Sequence, residues 1–140
     1  MSLFLACAVV LLAGGAVAAR LLLSTVTVRG GSMSPVLSDG DVLLVLRGRR
    51  RVRAGRIVVV RRPAPRTGWA GPAGTGWYVK RVAAAPGDPM PPWAPAGLPD
   101  RVPPGALVLL GEHPGSEDSK QWGLCPAELM YGVMLLRLSR

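Results

Sequence analysis

The segment WYVKRVAAAPGD, residues 77–88, places a lysine among apolar neighbours and ends in a Pro-Gly-Asp turn. Its first eight residues include tryptophan, tyrosine and two valines, which predicts a strand that stops at the turn. Successive side chains of a strand point to opposite faces. Tyr78, Lys80 and Val82 therefore share one face, whereas Arg81 lies on the other and can reach solvent. The pattern predicts a lysine that points into the interior of a sheet.

Further short β-rich runs lie on both sides of this segment, separated by glycine and proline. Two Pro/Gly-rich connections, 62–76 and 86–105, lack the periodicity of a domain, and the first is predicted to be a hairpin loop. The pattern predicts a mainly β fold: a compact antiparallel sheet or barrel-like domain, with one N-terminal transmembrane helix. The predicted strands are Ser24–Val28, Val42–Leu46, Ile57–Arg61, Trp77–Ala84, Ala106–Gly111 and Tyr131–Leu138.

The N-terminal residues 3–19 are apolar and uncharged. As a helix they would rise about 25 Å, against a hydrocarbon core of about 30 Å. The helix can continue through the following leucines if Arg20 extends its side chain to the membrane interface. We therefore predict a membrane anchor over residues 1–23 and a β-rich domain over residues 24–140.

Two questions about this N-terminal segment stay open at the level of the sequence. Residues 16–18, Ala-Val-Ala, resemble the A-x-A cleavage site of a secretory signal peptide, although no Lys or Arg precedes the apolar run. Arg20 and Arg29 follow the segment, and the positive-inside rule would place that side in the cytoplasm. The catalytic function considered below favours the opposite side.

The net charge of the chain is +9, with 17 basic and 8 acidic residues. Much of this charge lies in RGRRRVRAGR, residues 47–56. Such a run is typical of a solvated loop, and it can also contact anionic lipid. Nucleic acid is disfavoured as a partner because no recognised nucleic-acid motif accompanies the run.

The cysteine and histidine content excludes several kinds of site. Cys7 and Cys125 form neither a disulfide framework nor a metal-site spacing. The single histidine, His113, precedes Pro114 and is predicted to be an exposed turn residue. A zinc site or a serine–histidine triad is therefore not expected, and we predict no metal and no cofactor.

Three blocks of the sequence carry residues suited to catalysis: GGSMSPVLSDGDVLLV (30–45), YVKRVAAAPGD (78–88) and GEHPGSEDSKQWG (111–123). With these blocks the chain resembles the type I signal peptidases, or leader peptidases. That family consists of membrane-anchored serine proteases with a Ser-Lys dyad and a β-rich catalytic fold. Its first two blocks read roughly S-M-x-P-T-L…G-D-x-[IL]-x-V and [YF]-[VI]-K-R-V-x-x-x-P-G-D. The second pattern is matched here at every fixed position.

The resemblance implies that Ser32 is the nucleophile and Lys80 its general base. A serine hydroxyl needs a base, and a lysine amine serves only when burial lowers its pKa from about 10.4. By resemblance Ser116 should bind and orient the amine. Asp118 and Lys120 should form an ion pair that braces their loop, although the family usually has arginine at the second of these positions.

The residues around Ser32 are expected to complete the site. The Ser32 N–H is a candidate donor to the oxyanion. Gly30 and Gly31 let the substrate backbone approach closely, but Gly30 stands where many relatives carry a hydroxyl. Met33 and Pro35 are expected to line the substrate pocket by resemblance, although Met33 also fits a plain core position.

The resemblance implies a membrane-bound serine endopeptidase that removes signal peptides from exported precursors after small residues of A-x-A type. Its expected partners are these precursors and the lipid bilayer, with neither nucleic acid nor metal. The expected location is the cell membrane, with a single span and an extracytoplasmic catalytic domain. A maturation protease dedicated to one precursor is an alternative. A non-catalytic membrane-anchored β-module is disfavoured because Ser32 and Lys80 are both present.

Overall fold

The architecture is a single antiparallel sheet behind an N-terminal helix. The structure, a computed structural model, describes residues 2–63 and 76–139. Helix α1 is Ser2–Leu22, and a short helix α2, Ser119–Trp122, precedes a 3₁₀ turn at Ala127–Leu129. The strands of these regions are β1 (Leu23–Thr27), β2 (Val42–Arg47), β3 (Ile57–Arg61), β4 (Trp77–Ala84), β5 (Ala106–Leu110), β6 (Cys125–Pro126) and β7 (Met130–Ser139).

The strands lie in the order β1-β2-β7-β3-β4-β5-β6, and every neighbouring pair is antiparallel. The last strand, β7, thus inserts between β2 and β3, so the connection from β2 to β3 has to cross it. The mainly β, antiparallel prediction is confirmed. The six predicted strands are present: two have the predicted ends, and the other four have ends shifted by one residue. The strand β6 and the helix α2 are additions.

Side chains alternate along β4 as the sequence predicted. Lys80 and Val82 are buried, and Tyr78 packs with Val82 in one core cluster. Val79 packs in a different cluster, together with Val59. Arg81 is half-buried rather than free in solvent, because its guanidinium pairs with Glu112. The sheet therefore has an apolar core on each side of β4, and Lys80 points into one of them.

Helix α1 is apolar and exposed along its length. Residues Leu3–Leu22 have a mean hydropathy of 2.2 and no burial against the rest of the chain, so by length and composition the helix could cross a membrane. Its 21 residues rise about 31 Å, which matches a bilayer core. The helix passes Arg20 without interruption and ends at Leu22. Leu23, which was predicted to be the last anchor residue, already pairs with Leu46 in the sheet.

The two Pro/Gly-rich connections differ in how much of them is described. In the first, Arg62 N donates to Gly76 O at 2.7 Å and extends the β3–β4 hairpin, while residues 64–75 lie outside the described residues. The second is closed by backbone hydrogen bonds of 2.8 Å from Gly87 N to Val102 O and from Met90 N to Asp100 O. Both connections begin or end at β4 and leave its central residues to the core.

Candidate active site

The amine of Lys80 is enclosed by protein atoms. Lys80 is 0% exposed, and its Nζ donates to Ser116 Oγ at 2.6 Å. The Nζ also lies 5.4 Å from the centre of the Tyr78 ring and 6.0 Å from that of Trp122. These two rings meet edge to face at 5.3 Å and form an aromatic wall beside the amine.

This environment changes the protonation of Lys80. Burial lowers the pKa of its amine from 10.5 to about 8, because an ammonium loses its hydration inside the protein. The negative charges of Asp118 and Glu117 raise the pKa, and the positive charge of Lys120 lowers it. Burial is the largest of these effects. At pH 8 about half of the amines are therefore neutral and able to accept a proton.

Ser116 is held by the turn that follows β5. Its N–H donates to His113 O at 2.9 Å, and the N–H of His113 donates to Ser32 O at 3.0 Å. The same turn thus positions the hydroxyl beside Lys80 and binds the backbone of Ser32. The His113 side chain is exposed and accepts a hydrogen bond from Gly115 N, as expected for a turn residue.

Asp118 fixes this turn to both α2 and β5. Its carboxylate caps α2 by accepting from Lys120 N at 3.0 Å, and the Gln121 side chain completes the capping box. The carboxylate also accepts from Gly111 N at 2.9 Å. The expected ion pair is present, with Lys120 Nζ 3.7 Å from Asp118 Oδ2. The Lys120 side chain is 32% exposed, so solvent screens the ion pair, and the shorter backbone hydrogen bonds are the more important part of the brace.

Ser32 lies in a turn between β1 and β2 and is half-buried. Its position is fixed by the bond from His113 and by a backbone bond of 3.0 Å from Ser34 N to Gly31 O. Ser32, Lys80 and Ser116 line one cavity of about 320 Å³, together with Gly31, Tyr78, His113, Gly115 and Glu117. The turn and the sheet thus bring together the three residues that the resemblance selects.

The two glycines before Ser32 have different roles. Gly30 has a φ of +79°, in the left-handed region that favours glycine. Its N–H donates to Asp39 Oδ1 at 2.8 Å, so this donor is engaged within the turn. Gly31 has no such constraint on φ and lines the cavity beside Ser32. A side chain at position 30 would therefore require a strained backbone.

Met33 and Pro35 line neither the cavity that contains Ser32, Lys80 and Ser116 nor the larger groove between β1 and β4. Met33 is 0% exposed and packs in a core cluster with Val28, Leu37 and Leu43. Pro35 is exposed and follows a cis peptide bond. The structure thus gives Met33 the core position that the sequence left as an alternative.

A larger groove of about 620 Å³ adjoins Ser32 between β1 and β4. Among the described strands, β1 pairs only with β2, and the pairing of β4 with β5 begins at Arg81, beyond Val79. The groove is therefore bounded by backbone edges of both strands. Its lining comprises Thr25, Val26, Thr27, Val28, Arg29, Gly30, Gly31, Ser32, Val59, Trp77, Tyr78, Val79 and Tyr131.

Comparison with known protein families agrees with this geometry. The family model described as signal peptidase, peptidase S26, matches residues 1–91, which are 91 of the 140 residues. The chain belongs to the signal peptidase S26 family. It is therefore a serine peptidase of the class that cleaves signal peptides. The matched region includes Ser32 and Lys80, and no curated protein matches the chain.

Two residues of this S26 peptidase site were missed from the sequence. Glu117 Oε1 accepts from Trp122 Nε1 at 2.9 Å and lies 3.3 Å from Arg62 Nε, so it anchors the aromatic wall beside Lys80. The corresponding family block reads roughly S-x-D-S-R-x-x-G, and both Glu117 and Trp122 occupy positions that it leaves unspecified. No sequence signal distinguishes them. Among the described residues, no group of three or more His, Cys, Asp or Glu side chains could hold a metal ion.

Gly111 supplies a testable requirement of the site. A Cβ at this position would overlap the Cβ and Oγ of Ser116 and would lie 2.8 Å from Ser32 O. We expect Gly111→Ala to displace Ser116 from Lys80 and to lower kcat/KM by roughly 100-fold, since misplacement by about 1 Å has this effect.

The matched control is Gly115→Ala in the same turn. Its Cβ would approach only the exposed His113 ring, at 3.3 Å, so the loss should be much smaller. Both variants are assayed for precursor cleavage and for thermal stability. Equal activity of Gly111→Ala and the parent protein would contradict this packing requirement.

Proposed function

We propose that the chain is a membrane-anchored signal peptidase that cleaves exported precursors with a Ser32–Lys80 dyad. The observation that supports this most strongly is the buried Lys80 amine, which is hydrogen-bonded to Ser116 in the cavity that also contains Ser32. A lysine in this environment is partly neutral near pH 8 and can act as a general base.

The proposed reaction proceeds through an acyl-enzyme. Neutral Lys80 takes the Ser32 proton as Oγ attacks the scissile carbonyl carbon, and the carbonyl oxygen becomes an oxyanion. The Lys80 ammonium then gives this proton to the leaving amine as the C–N bond breaks, and an ester remains on Ser32. A water molecule, deprotonated by Lys80, attacks the ester, and the returned proton restores the Ser32 hydroxyl.

Ser116 is proposed to orient the amine throughout this cycle. Because one N–H of Lys80 points to Ser116 Oγ at 2.6 Å, rotation of the amine is restricted and its lone pair can be directed at Ser32. When Lys80 becomes an ammonium, the same bond is strengthened. The negative charges of Asp118 and Glu117 also favour the ammonium.

The oxyanion is proposed to be stabilised by the Ser32 N–H. The Gly30 N–H is already bound to Asp39, and Gly30 has no side-chain donor. We therefore assign no oxyanion contact to Gly30 and expect Gly31 to contribute by allowing close approach of the substrate backbone.

The precursor is proposed to bind as an extended segment in the groove between β1 and β4. Free backbone edges of strands bind peptides by adding a strand. In an extended peptide, alternate residues point to the same side. The first and third residues before the scissile bond would therefore both face the groove floor. We propose that the groove floor accepts only small side chains at these two positions, which would give the A-x-A preference.

We propose that α1 spans the cell membrane once and that the β-domain lies on the extracytoplasmic side. β1 begins directly after the helix, at Leu23, and Thr25–Thr27 line the groove. The groove thus begins only a few residues from the end of the span. A precursor whose own signal segment lies in the bilayer would reach it without leaving the membrane.

The dyad is tested by removing each reacting atom separately. We expect Ser32→Ala to abolish cleavage of an A-x-A precursor. Lys80→Met keeps the buried aliphatic chain, and its kcat/KM should fall roughly 100- to 10,000-fold, which is the range of general-base catalysis. Both variants are reconstituted in lipid and checked for folding by circular dichroism. Near-native turnover by either folded variant would falsify the dyad.

The pH dependence of kcat/KM tests the state of Lys80. Because the neutral amine is active, kcat/KM should rise with pH through a midpoint near 8 and fall as acid protonates the amine. Glu117→Gln removes a charge that raises this pKa, so the midpoint should move to lower pH. Lys120→Gln removes a charge that lowers it, so the midpoint should move to higher pH. Shifts of the same sign in the two variants would rule out Lys80 as the titrating group.

A further inference from the structure

The connection between β2 and β3, residues 47–56, is the most basic segment of the chain. It contains six arginines and no acidic residue. All six arginines are exposed. Within residues 2–63 and 76–139 the observed ion pairs involve other basic residues: Arg62, Arg81, Lys120 and Arg137. The positive charge of this arginine loop is thus not neutralised by the described part of the chain.

The arginine loop begins at the end of the sheet that adjoins α1. Leu23, the first residue after the helix, pairs with Leu46, and Arg47 follows directly. Neighbouring strands are about 4.8 Å apart, so the start of the loop lies within roughly 10 Å of the helix end. If α1 spans a bilayer, the loop is therefore at the level of the lipid headgroups.

Four of the arginines line a pocket together with apolar residues. A cavity of about 300 Å³ is lined by Arg50, Arg51, Arg53 and Arg56, and by apolar residues that include Leu46 and Val133. Guanidinium groups bind phosphate through paired hydrogen bonds. The apolar lining residues suit the glycerol carbons that follow a lipid phosphate. A free phosphate has no apolar part that could contact them.

We propose that the arginine loop binds the headgroup of an anionic phospholipid in the membrane that holds α1. This goes beyond the proposed peptidase activity and depends only on insertion of α1 in a bilayer. Binding would hold the β-domain against the membrane surface. It would add to the connection of the domain to α1 through the backbone at β1. Each arginine near an anionic surface should increase the ratio of membrane-bound to unbound loop by a factor of about five.

The test uses the full chain in lipid nanodiscs, with Ser32→Ala to prevent turnover. Ala54 is exposed within the loop, so Ala54→Cys can carry a fluorophore once Cys7 is replaced by alanine; Cys125 is buried. A phosphatidylcholine with a nitroxide on its headgroup quenches the fluorophore at close range. Quenching is compared between discs of phosphatidylcholine alone and discs of phosphatidylcholine with phosphatidylglycerol.

We expect stronger quenching in the anionic discs and loss of this difference in the triple variant Arg50→Gln, Arg51→Gln, Arg53→Gln. The matched triple lysine variant keeps the charge but cannot make the paired hydrogen bonds, so it should keep only part of the difference. Arg101→Gln, which removes an exposed charge in the second Pro-rich connection, should have no effect. Salt at about 1 M should weaken the difference, because the Debye length falls to about 3 Å.

Two results would overturn the proposal. The first is quenching that is independent of lipid charge or of the three arginines. The second is loss of the quenching difference when millimolar inorganic phosphate is added, which would identify a site for the free anion. Because the readout needs no cleavage, it is independent of the dyad. A chain that did not insert in discs would contradict the membrane anchor itself.

Discussion

The contact between the Lys80 amine and Ser116 is the constraint on which the rest of the site depends. Loss of hydration destabilises an ammonium group. Because Lys80 is 0% exposed, its amine therefore has a lowered pKa and gives up its proton more easily. β4 sets this burial by turning Lys80 away from solvent, whereas Arg81 lies on the other face, half-buried and paired with Glu112. The turn after β5 then supplies the hydrogen-bond partner of the amine.

The two carboxylates near Lys80 oppose the effect of burial on its pKa. Asp118 and Glu117 favour the ammonium, which keeps the pKa of Lys80 near 8 instead of lower. Asp118 simultaneously caps α2 and holds Gly111 N, so the charge that tunes the amine also fixes the turn that carries Ser116. One buried carboxylate therefore couples the geometry of the site to its protonation.

Local patterns in the sequence were sufficient to predict six of the seven described strands. The residues of the proposed dyad were selected by the resemblance of three separated blocks to the family. Glycine and proline mark the strand ends, and the alternation around Lys80 correctly predicted its burial. The place of β7 between β2 and β3 follows from long-range pairing, which no local pattern contains. α2 and β6 have four and two residues, too few for a periodic signal. The aromatic wall of Tyr78 and Trp122 arises only when distant segments pack together.

Titration of the Lys80 amine measures its protonation state without reference to catalysis. The full chain with Ser32→Ala, labelled with ¹³C and ¹⁵N at lysine, is followed by NMR across the alkaline range in detergent. Lys120 is the only other lysine of the chain, so Lys120→Arg leaves a single lysine signal to be assigned. We expect a pKa of about 8 for Lys80, and this pKa should rise when Trp122→Ala admits water. A pKa near 10.5, as for a solvated lysine, would contradict this expectation.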